Sequence, residues 1–79
     1  MKTVAYSQDA LADQRRYRAD AQRIMAKIAR YAETGAGDVK TLTGVPGKRL
    51  RVGEFRVIFD EGAAQIRIIR IGPRGAIYD

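Results

Sequence analysis

The chain has 79 residues, a formal net charge of +6, and neither cysteine nor histidine. A chain of this length forms one domain with a thin core, because such a domain buries only about 60% of its unfolded surface. The lack of cysteine excludes a disulfide scaffold and a thiolate metal site, and without histidine a zinc centre is not expected. We therefore predict a single domain over residues 1–79 with an open surface site, no metal and no cofactor.

The location and the kind of partner follow from the same numbers. The first residues, MKTVAY, carry no long apolar core, and no apolar run reaches membrane-spanning length. These features predict a cytoplasmic protein without a signal peptide or a membrane partner. Most of the 15 basic residues are arginine, whose guanidinium binds phosphate bidentately. The charge favours nucleic acid or an acidic protein as the partner.

The first half of the chain is predicted to form one strand and two helices. Residues 2–6 (KTVAY) have the composition of a strand, and Ser7 supplies a side-chain oxygen that can cap a following helix. Residues 8–34 contain no Gly or Pro and carry an apolar stripe at helical spacing, formed by Ile24, Ile28 and Tyr31.

One helix of that length would be long for so small a domain. We predict a break between Arg18 and Asp20, with Asp20 as a second N-cap, and an end at Gly35. The result is a helical hairpin.

The second half is predicted to be an antiparallel sheet. Residues 35–47 are rich in turn formers, and three β-runs follow, at Lys48–Val52, Phe55–Asp60 and Gln65–Ile71. The predicted fold class is α+β, with an N-terminal strand, a two-helix hairpin and then a three-stranded antiparallel sheet, in the order β-α-α-β-β-β.

The register of the first hairpin produces a like-charge pair. Gly53 at the first central position suits a two-residue type II′ turn, which sets Arg51 opposite Arg56. Like charges directly opposite each other are destabilising. Arg49 shares their face, and the apolar face is left for the helices. Either the arginine heads separate into water, with acidic neighbours compensating, or an anion such as a phosphate bridges them.

The end of the chain carries two further candidates. Pro73 ends the third run, since proline cannot donate to the ladder. Arg74 and Tyr78 follow, and Gly75 permits a bend that would bring both to the arginine face. Each also has a structural reading, as a loop charge and as a core-capping aromatic. For Arg67 and Arg70, within the third run, solvation or a carboxylate partner is the preferred reading.

The ordered set of these features resembles the RelE/ParE superfamily of toxins from bacterial type II toxin–antitoxin modules. The resemblance rests on KTLTG, then RLRVGEFRVIF, then GPR with a tyrosine four residues on, and it spans essentially the whole chain. The RelE-like branch cuts messenger RNA on the ribosome, whereas the ParE-like branch poisons DNA gyrase. The retained arginines and tyrosine are similar to the RelE-like pattern.

The resemblance implies roles for individual residues. Arg56 matches the arginine that contacts the scissile phosphate. Arg74 matches the one that stabilises the transition state or protonates the leaving oxygen, and Tyr78 matches the tyrosine that activates the attacking 2′-hydroxyl. Lys48, Arg49 and Arg51 then correspond to RNA-binding positions. Among the departures from the family, Pro73 stands where many relatives have histidine, and the basic pair Lys48 and Arg49 is adjacent rather than alternating.

The function that the resemblance implies is an endoribonuclease toxin that inhibits translation and arrests growth. Its partners would be the ribosome, messenger RNA and a cognate antitoxin that silences it in a hetero-oligomer. A gyrase inhibitor on the same fold, or a non-catalytic module that binds nucleic acid or antitoxin, remains an alternative. Tyrosine and lysine have pKa values near 10, so a nuclease built from them should act poorly on free RNA and depend on its partner for positioning.

Overall fold

The computed structural model describes residues 1–44 and 46–77. The elements are β1 (Thr3–Tyr6), α1 (Gln8–Arg16), α2 (Arg18–Thr34), β2 (Asp38–Thr41), β3 (Lys48–Val52), β4 (Phe55–Glu61) and β5 (Gln65–Pro73). They form one five-stranded sheet in the order β1-β5-β4-β3-β2. β1 runs parallel to β5, and every other neighbouring pair is antiparallel. The predicted α+β class is confirmed.

The structure adds a strand that the sequence analysis assigned to a turn-rich segment. β2 pairs with β3 along its whole length, with Val39 opposite Leu50. Its sequence, DVKT, contains one apolar residue and three exposed polar ones, which is why no alternating pattern marks it as a strand. The sheet therefore has five strands instead of the four that were predicted.

The helical hairpin is confirmed, but its break lies earlier than predicted. Ser7 caps α1 through a 3.0 Å bond from the Ala10 N–H to its hydroxyl oxygen. The break falls at Tyr17, which gives α2 no side-chain cap. Asp20, predicted as that cap, lies inside the first turn and pairs with Arg23 at 3.0 Å. Gly35 ends α2 in the left-handed conformation, as expected.

The core lies between the helices and one face of the sheet. Strand alternation sends apolar side chains of β3, β4 and β5 to that face, where they meet the apolar stripe of α2. The largest fully buried members are Phe59, Ile24, Ile28, Ile66, Ile68, Ile71 and Val57. We call the opposite side of the sheet the open face.

The edge of β5 that β1 leaves uncovered is closed by α1. β1 pairs only as far as Ile68. Beyond that point, the Ile71 N–H donates to the buried carboxylate of Asp13 at 2.8 Å, and Arg70 Nε pairs with the same carboxylate at 2.9 Å. Arg70 thus has the carboxylate partner that the sequence analysis preferred for it. These contacts fix α1 beside β5.

Candidate nucleic-acid interface

The predicted register of the β3–β4 hairpin is confirmed. Val52 faces Phe55, and Arg51 faces Arg56 across the two strands. Residues directly opposite in an antiparallel pair have Cα atoms about 4.5–5.5 Å apart. Gly53 at the turn has a φ of 57°, a left-handed conformation that suits glycine. The side chains of Arg51 and Arg56 therefore leave the sheet side by side on the open face.

Arg56 is bound tightly to the hairpin turn. Its side chain is only 5% exposed. One terminal nitrogen donates to the carbonyl oxygens of Gly53 and Phe55, both at 3.1 Å. These bonds fix the guanidinium at the turn end of the open face.

Arg74 reaches the same turn through its backbone. Its N–H donates to the carbonyl oxygen of Glu54 at 2.7 Å. Glu54 follows Gly53, whose carbonyl accepts from Arg56. The side chain of Arg74 is exposed. The structure thus brings Arg56 and Arg74, which are 18 positions apart in the chain, to neighbouring peptide groups of one turn.

The last described residues fold back toward the open face. The Ala76 N–H donates to the Pro73 carbonyl at 3.0 Å, and Gly75 has a φ of 92°. A Cβ placed on Gly72 would lie 3.6 Å from the Cβ of Ile77, so Ile77 packs over this glycine. Gly72 is the cross-strand partner of Arg56. The chain therefore returns toward the arginines, while Tyr78, the predicted activator of the 2′-hydroxyl, lies outside the described residues.

A second like-charge pair, which was not predicted from the sequence, lies next to the first. Lys40 of β2 faces Arg49 of β3. Lys40 is exposed and Arg49 is half-buried. The signal was present in the KTLTG motif, but without β2 as a strand Lys40 had no assigned neighbour. We call Arg49, Arg51, Arg56 and Arg74 the arginine cluster, and Lys40 extends it to the edge of the sheet.

Lys48, predicted beside Arg49 on the RNA, lies on the other face. Successive residues of a strand point to opposite sides, so Lys48 points away from the face that carries Arg49. Its cross-strand partner is Phe59 of the core. Its ammonium pairs with Glu61 at 2.9 Å. The structure does not bring Lys48 together with the arginine cluster.

Glu61 is the centre of a second polar group, which we call the carboxylate cluster. It accepts from Lys2 at 2.6 Å, from the hydroxyl of Tyr31 at 2.6 Å, and from Lys48. These hydrogen bonds lower the pKa of Glu61 to about 2, whereas burial and the bond to Glu61 raise the pKa of Tyr31 to about 12. At neutral pH the carboxylate is therefore ionised and the phenol is protonated.

The two clusters differ in what they can do chemically. The carboxylate cluster is internally compensated and has little capacity left for a ligand. In the arginine cluster, Arg51 and Arg74 are exposed, whereas Arg49 is half-buried and Arg56 is buried. Exposed guanidinium groups are suited to binding a phosphodiester. Within residues 1–44 and 46–77, no three acidic side chains come close enough to hold a metal ion. No helix in those ranges has the length and apolar character needed to cross a membrane.

Comparison with solved structures identifies proteins that share this fold. No protein-family model matches the sequence, and no curated protein is significantly similar to it. Solved structures do match over nearly their whole length. The RelB–RelE antitoxin–toxin complex of Methanococcus jannaschii gives a TM-score of 0.75 at 21% identity, covering 95% of each chain. The RelE–RelB complex of Pyrococcus horikoshii gives 0.73 at 23%, covering 96% of this chain and 98% of the other.

A third match comes from a bacterium. The DinJ–YafQ toxin–antitoxin complex of E. coli gives a TM-score of 0.77 at 12% identity, covering 99% of this chain and 98% of the other. The three proteins differ from this chain at most positions, yet their TM-scores of 0.73 to 0.77 show the same fold. This chain therefore has the fold of the RelE and YafQ toxins.

Proposed function

We propose that this chain is the toxin of a type II toxin–antitoxin module and that it cuts messenger RNA on the ribosome. The observation that supports this most is the meeting of Arg56 and Arg74 at one turn, through the adjacent carbonyls of Gly53 and Glu54. Arg51 faces Arg56 at the same end of the sheet. A shared fold alone would not require cations to gather there.

In the proposed reaction, these residues stabilise the negative charge that develops on the phosphate. Attack of a 2′-hydroxyl on the adjacent phosphorus breaks the P–O5′ bond and passes through a phosphorane with extra negative charge. Arg56, held at the turn by its bonds to Gly53 and Phe55, would contact the scissile phosphate, and the exposed side chain of Arg74 would meet the developing charge. Preorganised donors of this kind contribute about 10²–10³ in rate each. Tyr78 is proposed to take the 2′-hydroxyl proton, and the leaving O5′ oxygen takes a proton from Arg74 or from water.

Dependence on the ribosome follows from the residue types. Arginine stays protonated, and a phenol has a pKa near 10, so the site holds no group matched to neutral pH. An RNA held in an attack-ready geometry by a large partner compensates for weak acid–base catalysis. We therefore expect slow cleavage of free RNA and much faster cleavage of a message on the ribosome.

An antitoxin is the second proposed partner. The similar RelE and YafQ folds were crystallised in complexes with antitoxins. A toxin of this kind must be inhibited in the cell that makes it. A disordered acidic segment of the antitoxin that folds over the open face would block RNA binding there. Crosslinking of the cognate antitoxin to Arg51 and Lys40 positions would support direct occlusion; an antitoxin that leaves both positions accessible would contradict it.

The test is cleavage by purified protein added to translating ribosomes, followed by mapping of the RNA ends. Arg74→Ala and Tyr78→Phe should each reduce the cleavage rate by about 10² or more. Arg67→Ala is the matched control, because Arg67 is exposed on β5 opposite Asp60 and belongs to neither cluster. Intact message with the wild-type protein would overturn the nuclease assignment, and blocked DNA supercoiling in its place would support the ParE-like activity.

One observation favours a second candidate, a module on the same fold that binds without cutting. Arg56 is buried and donates to two carbonyls of the turn, which is what a purely structural arginine would do. On this reading RNA binds at the open face with strong salt dependence and no turnover. Expression without antitoxin would then leave growth unaffected, whereas the nuclease would arrest it.

A further inference from the structure

A second group of cations lies along α2, outside the arginine cluster. Arg23, Lys27 and Arg30 recur at positions i, i+4 and i+7 and so share one face of the helix. All three side chains are exposed. Arg23 pairs with Asp20, whereas no ion pair of the described residues includes Lys27 or Arg30.

This helix face borders a groove of about 400 Å³ at the edge of β3. β2 covers β3 only from Lys48 to Arg51, so the strand edge at Val52 and Gly53 is left uncovered. The groove occupies that place. Its lining includes Lys27, Arg30, Asp38, Arg51 and Gly53. Three of these carry positive charge, and Asp38 carries the single negative charge of the described lining.

Arg51 connects the groove to the arginine cluster. It lines the groove and also faces Arg56 on the open face. Arg23 continues the positive surface over the hairpin turn, where its guanidinium lies 3.2 Å from the position of a Cβ on Gly53. Basic side chains therefore follow one another from the arginine cluster, around the turn, to α2, with the acidic residues Asp20, Asp38 and Glu54 lying among them.

We propose that this groove binds the phosphate backbone of the same RNA strand that the arginine cluster grips, a few nucleotides from the scissile bond. This inference rests on the proposed RNA-binding function. An acidic peptide is the poorer fit, since protein segments are anchored by apolar side chains in pockets. The apolar lining residues Leu50 and Val52 are only 2% and 3% exposed. A phosphodiester needs only the cations.

The experiment compares two double variants that lose the same charge. Lys27→Gln/Arg30→Gln empties the groove of two cations, and Arg15→Gln/Arg18→Gln removes two exposed arginines elsewhere on the helices. Glutamine is a good helix former, so both variants should fold. The probes are single-stranded RNAs of about 4 and about 16 nucleotides, which bracket short and extended binding sites. Methylation of every 2′-hydroxyl prevents cleavage.

We expect the groove variant to bind the longer RNA roughly tenfold more weakly, with a salt slope lower by about 1.4, or about 0.7 for each lost phosphate contact. Its affinity for the short RNA should stay unchanged, and the control should resemble the wild type with both probes. Equal losses in the two double variants, or an equal loss with both RNA lengths, would overturn the proposal. A polyglutamate peptide that binds the groove better than RNA would overturn it as well.

This result is independent of catalysis, because the probes cannot be cut. A wild-type chain that discriminates long from short RNA through Lys27 and Arg30 but leaves ribosomal messages intact would support the groove and contradict the nuclease.

Discussion

Basic side chains lie close together at both ends of the β3–β4 hairpin, but the charges of their neighbours differ. At the end away from the turn, Lys48 and Lys2 converge on Glu61. At the turn end, Arg51 faces Arg56. The first arrangement pairs opposite charges. The second places like charges opposite each other, which is destabilising by itself, and Asp38 of β2 on the other side of Arg51 offsets part of that repulsion.

The two clusters differ in their hydrogen-bond partners and in the exposure of their side chains. The carboxylate cluster is completed within the chain, with Glu61 only 15% exposed and bonded to three donors. The arginine cluster binds backbone carbonyls of the turn and presents the exposed side chains of Arg51 and Arg74. A small domain has little stability to lose. Arg51 also has Asp38 of β2 opposite it, so what distinguishes the turn end is the exposure of its guanidinium groups, which an anionic ligand can reach more easily than it can reach the buried side of Glu61.

The largest expected effect comes from removing the charge of Glu61. Glu61→Gln leaves Lys2 and Lys48 facing each other near a neutral amide, and the expected loss in free energy of unfolding is about 3 kcal/mol. Urea denaturation at neutral pH measures it. Glu54→Gln, which changes an exposed acidic residue in the turn, is the control and should lie within about 0.5 kcal/mol of the wild type. Comparable losses in both variants would show that the cluster is not the stabilising end.

Acid should destabilise the protein through the same carboxylate. The folded-state pKa of Glu61, about 2, lies below its ordinary value of 4.5, so the unfolded chain takes up the proton first. The stabilisation is present above pH 4.5 and is lost as the pH falls toward 2. Between about pH 5.5 and about pH 3 the loss should be about 2 kcal/mol. Denaturation at several pH values should show a shallower dependence in Glu61→Gln, and parallel curves would contradict the shift.

Much of the fold and part of the site were predictable because short-range rules determine them. The Gly53 turn fixed the register of Arg51 and Arg56, and Ser7 marked the start of α1. β2 was missed because an edge strand takes its hydrogen bonds from β3, and its polar sequence gives no alternation. Lys40 was missed with it.

Long-range contacts explain the other differences. Lys48 was grouped with Arg49 by adjacency, but its partner Glu61 lies 13 positions away, and Lys2 joins from 59 positions away. The contact of the Arg74 N–H with Glu54 likewise depends on where β5 ends in the folded sheet. No local pattern encodes such contacts.

The hydroxyl of Tyr31 tests the carboxylate cluster more finely. Tyr31→Phe keeps the ring, which packs edge-on against Phe59 at 5.4 Å, and removes only the bond to Glu61. The expected loss is about 1.5 kcal/mol, typical of a hydrogen bond to a charged group. Tyr17→Phe is the matched control, because Tyr17 packs in the same way on Phe55 at 5.3 Å. Thermal unfolding of the pair should separate them, and equal midpoints would assign the stabilisation to the rings.

The smallest effect should have the opposite sign. Lys40 lies on an edge strand with Arg49 as its directly opposed neighbour, so Lys40→Thr should raise stability by about 0.5 kcal/mol, since it removes a like-charge pair and adds a good strand former. Arg67→Thr makes the same kind of change opposite Asp60 and should not stabilise. High salt should shrink the gain.

The same Lys40 variant should bind single-stranded RNA roughly threefold more weakly. A gain in stability without a loss in RNA affinity would mean that the cationic edge serves another ligand, and a loss of stability would mean that the repulsion at this end of the hairpin is already compensated within the chain.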